Sequence, residues 1–204
     1  MTLRFSAREK VLDAALATIR CKGYAATTVD ELCARAGVTK GAFFHHFSSK
    51  EDLAIAAAQR WSEKARTLFA AAGYHAHGDP LERVLGYIDF RKSLLRGGLP
   101  EFTCLVGTMV QETYDSHPAI RDACARSILG HAATLEVDLE AAIESYDLKP
   151  AFTAKSLALY TQAALQGAFI LAKATGSARA ASDAVDHLRR YIELLFRKPK
   201  RGRP

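Results

Sequence analysis

Residues 27–50 read TTVDELCARAGVTKGAFFHHFSSK, and this stretch decides the fold. It predicts two short helices, one opened by Thr28 and one by Thr39, because threonine side chains readily cap helix N-termini. The residues AGVT between them predict a tight turn in which Gly37 takes the left-handed conformation and Val38 fills the angle between the helices. Two short helices joined in this way are typical of a helix-turn-helix, which places its second helix in the DNA major groove.

Helical signals continue on both sides of this motif. Ser6-x-x-Glu9 and Ser48-x-x-Glu51 are capping boxes, which predict that helices begin there. No stretch alternates apolar and polar residues between turn signals, as a strand would. The predicted fold class is therefore all-α. Beyond residue 72 the spacing predicts five further helices, over about 81–96, 102–114, 118–147, 150–174 and 182–196.

Length and composition narrow the class of protein. The chain has 204 residues, 49% hydrophobic and 25% charged, which fits one or two globular domains and excludes a wholly disordered chain. No apolar run approaches the roughly 18 residues of a membrane span, and the first residues lack a signal-peptide core. The four cysteines show no paired metal spacing. We therefore expect a cytoplasmic protein whose cysteines are reduced and which binds no membrane, metal or cofactor.

Basic residues are concentrated towards the two ends of the chain. Residues 1–64 carry 10 basic residues (Lys and Arg) and 7 acidic ones (Asp and Glu). Residues 65–196 carry 13 basic and 15 acidic residues, and residues 197–204 carry five basic residues and no acidic one. This distribution fits a polyanionic partner such as DNA. The terminal Arg-Gly-Arg-Pro also resembles the core of an AT-hook, which binds the minor groove of A·T-rich DNA; a solubilising basic tail is the alternative.

A longer pattern surrounds the helix-turn-helix. Residues 14–53 read AALxxIxxxGYxxTTVxxLxxxAGVTKGAFFHHFxxKExL, where x stands for any residue. This pattern resembles the N-terminal domain of the tetracycline-repressor (TetR) family, nearly without gaps. The resemblance implies an all-helical homodimer with three parts: an N-terminal three-helix DNA-binding head over 1–50, a connecting helix over 51–72 and a larger effector-binding and dimerisation body over 73–196. The composition adds a basic disordered tail over 197–204.

The resemblance also implies a function. Proteins of this family are ligand-responsive transcription regulators, so the chain is expected to be a repressor that a small molecule, bound in the body, releases from a palindromic operator. Its partners would be double-stranded DNA, a second copy of itself and the small-molecule effector. It would be associated with the nucleoid while bound to DNA.

Residue roles in the head follow by position from the same resemblance. Thr28, His46 and Lys50 would contact phosphates. Phe44 also belongs to the predicted DNA-binding set, but it stands where the family usually has tyrosine and so lacks the hydroxyl that often reaches a phosphate. The adjacent histidines add either a modest pH sensitivity or plain neutral hydrogen-bonding groups. Residues at or near the major-groove face would be Thr39, Lys40, Gly41, Ala42, Phe43 and His45.

The body supplies two further sets of candidates. Residues on helices that line the effector cavity in similar proteins are Tyr87, Phe90, Phe102, Cys104, Leu105, Met109 and Tyr114. Residues of the last two long helices that would form a dimer seam are Tyr160, Ala164, Gly167, Ala168, Leu171, Leu188, Tyr191, Ile192 and Leu195. A monomer that buries the latter set internally is the alternative, but a two-fold symmetric operator favours the dimer.

Single features suggest two other functions. Cys104 opens a helix within a Cys-Leu…Glu stretch that resembles family members which sense oxidants or electrophiles, and a helix N-terminus favours the thiolate. Cys21 and Cys33 occupy core-facing positions and are expected to be inert. The loop His75-x-His77 offers half a metal site or, with Asp79, a hydrolase centre, but no third ligand or nucleophile stands near. A reversible apolar ligand and no enzymatic activity are expected.

Overall fold

The computed structural model describes residues 6–197, and within that range the chain forms ten α-helices and no strand. The all-α prediction is confirmed. None of these helices is long and apolar enough to cross a lipid bilayer. Apart from Arg197, the predicted tail at 197–204 with its Arg-Gly-Arg-Pro lies outside the described residues. The helices are α1 (Ala7–Lys22), α2 (Val29–Ala36), α3 (Lys40–His46), α4 (Lys50–Ala70), α5 (Pro80–Ser93), α6 (Leu99–Phe102), α7 (Leu105–Thr113), α8 (Pro118–Ser145), α9 (Ala154–Thr175) and α10 (Ala178–Leu195).

Local capping fixes where the first helices begin. Ser6 and Glu9 form the predicted box: the Ser6 N–H donates to Glu9 Oε2 at 2.9 Å, and the Glu9 N–H donates to Ser6 Oγ at 3.3 Å. At α4 the predicted box is wrong by one residue. The Asp52 N–H donates to Ser49 Oγ at 3.0 Å, whereas the Ser48 N–H donates to Asp52 Oδ2 at 3.0 Å. Ser49 therefore caps α4.

The helix predicted over 102–114 begins three residues later, at Leu105, and a separate short helix, α6, ends at Phe102. The backbone is extended at Thr103, with ψ at 157°, and at Cys104, with ψ at 122°. Thr103 ends α6, and Cys104 caps α7 with its sulfur. Cys104 thus opens the helix, as its place in the sequence predicts, although cysteine is rarely a capping residue.

The starts of α9 and α10 also differ from the predictions. α9 begins after Thr153, whose hydroxyl accepts the N–H at the third position of the helix, and not at Pro150. α10 begins after Ser177, whose hydroxyl caps it, and not at Ser182. In both cases a hydroxyl cap decides the boundary.

The described residues divide into two compact units. The first contains residues 6–70 together with Gly97–His131, and so holds α1–α4, α6, α7 and the first part of α8. The second contains Ala71–Arg96 and residues 132–197, which supply α5, the end of α8, α9 and α10. The segment 97–131, which the sequence assigns to the body, thus packs in the same unit as the predicted head.

One continuous hydrophobic core holds the first unit together. It includes Leu12, Phe43 and Leu53 of the head, and Leu105 and Met109 of α7, each at most 2% exposed. Burying an apolar side chain of this size stabilises a fold by about 1.5–3 kcal/mol. α7 is therefore part of the packing that supports the helix-turn-helix.

Candidate nucleic-acid interface

The turn between α2 and α3 has the geometry that the sequence predicts. Gly37 follows α2 in the left-handed conformation, with φ at 63° and ψ at 41°. The Val38 N–H donates to the carbonyl of Cys33 at 3.0 Å. Thr39 then caps α3 by accepting the Ala42 N–H at 3.1 Å. These bonds fix the direction of α3 relative to α2.

The inner face of α3 is anchored by aromatic side chains. Phe43 is 0% exposed and Phe47 is 2% exposed, and their ring centroids lie 5.6 Å apart. The guanidinium carbon of Arg8 lies 5.5 Å from the centroid of the Phe47 ring. The side chain of Phe43, which the resemblance put at or near the groove face, is thus in the core, where it supports α3.

The outer face of α3 is open to solvent. Gly41 lies in the first turn of the helix, and a Cβ added there would meet only Thr39 Oγ1, at 3.8 Å. A partner can therefore approach the backbone closely at this point. The exposed residues of the predicted DNA-binding set are Thr28, Thr39, Lys40, Gly41, Phe44 and His45, and the half-buried ones are Ala42, His46 and Lys50.

The cationic residue on this face is held by a weak ion pair. Lys40 Nζ lies 2.6 Å from Asp30 Oδ1, with the two side chains 61% and 70% exposed. The hydrogen bond to Asp30 raises the pKa of Lys40. Exposed pairs contribute little to stability, so a phosphate can replace the carboxylate at low cost.

Lys50, one of the predicted phosphate contacts, already uses its ammonium group for bonds within the protein. Its Nζ donates to the carbonyl of Tyr24 at 3.1 Å and to that of Thr27 at 3.0 Å. It also lies 4.2 Å from the centroid of the Tyr24 ring. Burial lowers the pKa of Lys50, and the charge of Glu112 partly offsets this effect. Two of the three ammonium protons therefore hold the loop between α1 and α2.

The predicted effector residues are divided between the two units. Tyr87 and Phe90 lie on α5 in the second unit, where Tyr87 is buried and its hydroxyl accepts from Gln162 Nε2 at 3.0 Å. The other five lie in the first unit: Phe102, Leu105 and Met109 are buried, Cys104 is half-buried and Tyr114 is 63% exposed.

A surface groove of about 440 Å³ in the second unit was not predicted from the sequence. None of the predicted effector residues lines it. It forms where α8 ends and the chain turns at Asp147, a non-glycine residue with φ at 49°. Its lining residues are Glu140, Ile143, Glu144, Asp147, Leu148, Pro150, Phe152, Thr153 and Ala154.

The predicted dimer residues separate into an exposed and a buried set. Tyr160 and Tyr191 pack ring to ring, with centroids 5.1 Å apart and exposures of 48% and 40%. Leu171 is 53% exposed, and no atom lies within 4 Å of a Cβ built on Gly167. Ala164 and Leu195 are half-buried, whereas Ala168, Leu188 and Ile192 are at most 3% exposed.

All four cysteines are free thiols in different surroundings. Cys21 is exposed, so its predicted core-facing position is wrong, whereas Cys33 and Cys124 are buried. Burial raises the pKa of Cys124 to about 12. Cys104 is half-buried, and its Sγ accepts the Gly107 N–H at 3.4 Å as the cap of α7.

The histidine loop lies in a short 3₁₀ turn, Gly73–Ala76, and the residue after it. His75 and His77 are exposed. The carboxylate of Asp79 caps α5 by accepting the Leu81 N–H at 2.7 Å, and it also accepts the Tyr146 hydroxyl at 2.8 Å. Within residues 6–197, no three His, Cys, Asp or Glu side chains are arranged to hold a metal ion.

Two family models match the chain. The model described as bacterial regulatory proteins, tetR family, matches residues 11–57. The model described as tetracyclin repressor-like, C-terminal domain, matches residues 80–188. Together they cover the helix-turn-helix and more than half of the remaining chain.

Curated relatives are similar over parts of their length. The transcriptional regulator AcuR of Cereibacter sphaeroides is 30% identical over 107 residues, which are 52% of this chain and 48% of that protein. YerO of Bacillus subtilis, an uncharacterized HTH-type transcriptional regulator, is 38% identical over 52 residues, which are 26% of this chain and 18% of that protein. The chain thus matches less than half the length of either protein.

Solved structures are similar over nearly the whole chain. A TetR transcriptional regulator from Chloroflexus aurantiacus is 29% identical with a TM-score of 0.80, over 92% of this chain and 94% of that one. The reduced form of NemR from Escherichia coli is 25% identical with a TM-score of 0.74, over 91% of this chain and 96% of that one.

Proposed function

Because this chain belongs to the TetR family of bacterial transcription regulators, we propose that it is a repressor which binds a palindromic operator as a homodimer and is released by a small molecule. Members of the family bind DNA and form dimers, and they are regulators rather than enzymes. The observation that carries the proposal is the outer face of α3, where Gly41 leaves the backbone bare beside exposed Thr39 and Lys40.

The chemistry of this face suits the major groove. Free N–H groups at the start of a helix and a nearby ammonium favour phosphate oxygens. A glycine in the first turn lets the helix lie against base edges without steric hindrance, and Thr39 and His45 supply polar groups that can read those edges. Thr28, His46 and the third proton of Lys50 are the proposed phosphate contacts.

The exposed side of α9 and α10 supports dimerisation. Tyr160, Leu171 and Tyr191 leave apolar surface in solvent, and the open space over Gly167 admits close approach by another helix. A two-fold dimer presents two copies of α3, which must meet major grooves about 34–36 Å apart. A ligand that changes this spacing would release the operator.

Selection from a pool of random DNA duplexes tests the proposal. The purified protein should enrich an inverted repeat whose half-sites lie one helical turn, or a multiple of it, apart. A reporter gene with this repeat in its promoter should be repressed by the protein. Enrichment of a single half-site would contradict the dimer, and activation of the reporter would contradict the repressor role.

A second candidate, a regulator that senses electrophiles through Cys104, is favoured by one observation. Cys104 is half-buried at the start of α7, where its sulfur accepts the Gly107 N–H at 3.4 Å and part of the side chain is open to solvent, so a small electrophile can reach it. Iodoacetamide at neutral pH should alkylate Cys104 before Cys33 and Cys124, with loss of DNA binding that Cys104→Ser prevents. Cys21 is exposed as well, so the test uses a Cys21→Ser background. Loss of DNA binding in Cys104→Ser after alkylation would rule this candidate out.

A further inference from the structure

The loop between α1 and α2, residues 23–28, is held from two sides by other helices. From α4, Lys50 donates to the carbonyls of Tyr24 and Thr27, as described above. From α7, Glu112 accepts the Ala25 N–H with its Oε2 at 2.8 Å. One side chain thus holds carbonyl groups of the loop and the other holds an amide.

Gly23 makes room for the contact with Glu112. It has φ at 89°, which disfavours any residue with a Cβ. A Cβ built there would lie 2.2 Å from Glu112 Oε1 and 2.9 Å from Glu112 Cδ, far closer than atoms in contact. The backbone conformation therefore favours glycine here, and a Cβ would displace the Glu112 carboxylate from its present position.

Charge strengthens the arrangement. The carboxylate of Glu112 raises the pKa of Lys50 against the larger, opposite effect of burial, so the two charged groups interact across the loop. Hydrogen bonds to a charged acceptor are stronger than those between neutral groups. The carboxylate is therefore a stronger acceptor for the Ala25 N–H than a neutral oxygen would be.

The loop ends at Thr28, which caps α2 by accepting the Glu31 N–H at 3.2 Å. Thr28 is exposed and is one of the proposed phosphate contacts. Any movement of the loop therefore moves Thr28 and the start of α2.

We propose that Glu112 is a positioning residue for operator binding, which fixes the α1–α2 loop from α7 without touching DNA. This inference rests on the proposed function. α7 also carries Leu105 and Met109, two of the expected effector residues, in the core that it shares with the head. A ligand that shifts α7 then acts on the start of α2 through Glu112, in addition to any path through α4.

Three variants of the full-length protein test this role. Glu112→Ala removes the acceptor, Glu112→Gln keeps an oxygen that can accept the Ala25 N–H, and Gln111→Ala is the control. Gln111 is the neighbouring residue, is exposed, and donates to Gly107 O of its own helix at 2.7 Å. Fluorescence anisotropy gives the Kd for the selected operator, and amide hydrogen exchange reports on residues 23–28 without DNA.

Glu112→Ala should weaken operator binding about tenfold, or about 1.4 kcal/mol. Glu112→Gln should restore most of this loss, and Gln111→Ala should match the wild type. Exchange in residues 23–28 should rise in Glu112→Ala alone. A Gly23→Ala substitution should reduce affinity as well, and combined with Glu112→Ala it should cost less than the product of the two single losses, because both act on one contact.

Some results would overturn the inference. They are operator affinity within twofold of wild type in Glu112→Ala, no rescue by Glu112→Gln, or unchanged exchange in residues 23–28. If Glu112→Ala fails to fold, Gly23→Ala decides by the same measurements, because a Cβ at residue 23 displaces the Glu112 carboxylate. If the wild type itself selects no operator, the proposed function fails, whereas the exchange experiment still tests the contact between Glu112 and the loop.

Discussion

The substitution Gly41→Val tests the proposed DNA-binding face most directly, because it adds a side chain where the structure leaves the backbone open. The new Cβ would have only Thr39 Oγ1 within 4 Å, at 3.8 Å, so nothing in the fold has to move. Valine also has the higher helix propensity, by about 0.4 kcal/mol. The thermal midpoint should therefore change by no more than about 2 °C.

DNA binding should respond quite differently. The two methyl groups of valine would occupy the space where the start of α3 approaches the bases, so the operator would be bound only as unrelated DNA is bound. Specific affinities typically exceed non-specific ones by a factor of about 10³ or more. We expect a loss of that size in the Kd for the operator and a change of less than about twofold for a scrambled duplex.

Anisotropy titrations at fixed salt, with thermal unfolding of the same samples, measure both effects. Gly130→Val is the matched control, since Gly130 is exposed on helix α8 with no atom within 4 Å of an added Cβ. Operator binding by Gly41→Val at wild-type affinity would refute the placement of α3 in the groove. An equal loss in Gly130→Val would show that the effect is not local.

Three other predictions concern separate parts of the molecule. Lys50→Ala should weaken binding to operator and unrelated duplex alike and reduce the slope of the salt dependence by about one unit. It should also lower the thermal midpoint, because the ammonium holds two backbone carbonyls. Altered base preference in a binding selection would contradict this role. Deletion of residues 197–204 removes five basic side chains and should lower the affinity for unrelated DNA at low salt, while operator specificity stays intact. Selective loss of protection in A·T-rich flanking DNA in a footprint would instead favour the AT-hook. Leu171→Arg should shift the protein to a monomer in sedimentation velocity, because leucine there is 53% exposed on α9; an unchanged dimer would exclude this face as the seam.

Local patterns predicted the geometry of the helix-turn-helix well. Thr28, Gly37 and Thr39 act through hydrogen bonds and backbone angles within a few residues, so the sequence alone indicates where α2 ends and α3 begins. The alternation of buried Phe43 and Phe47 with exposed residues follows from helical periodicity. These features depend on neighbours in the chain, which a sequence displays directly.

Features made by distant residues escaped prediction. The bonds from Lys50 to the α1–α2 loop and from Glu112 to Ala25 join residues far apart in sequence, and no spacing rule relates them. Cys21 lies near the end of α1, where a helical pattern no longer determines which side is covered, and it is exposed.

The shared core of the first unit has a consequence for regulation. The head is not packed as an independent three-helix domain, since Leu105 and Met109 of α7 complete the same core as Leu12 and Leu53. Close-packed interiors deform little, so a displacement of α7 has to be taken up by its neighbours. The α1–α2 loop is the neighbour that α7 holds by a specific hydrogen bond, from Glu112. The same packing that stabilises the helix-turn-helix therefore gives α7 a direct means to move it.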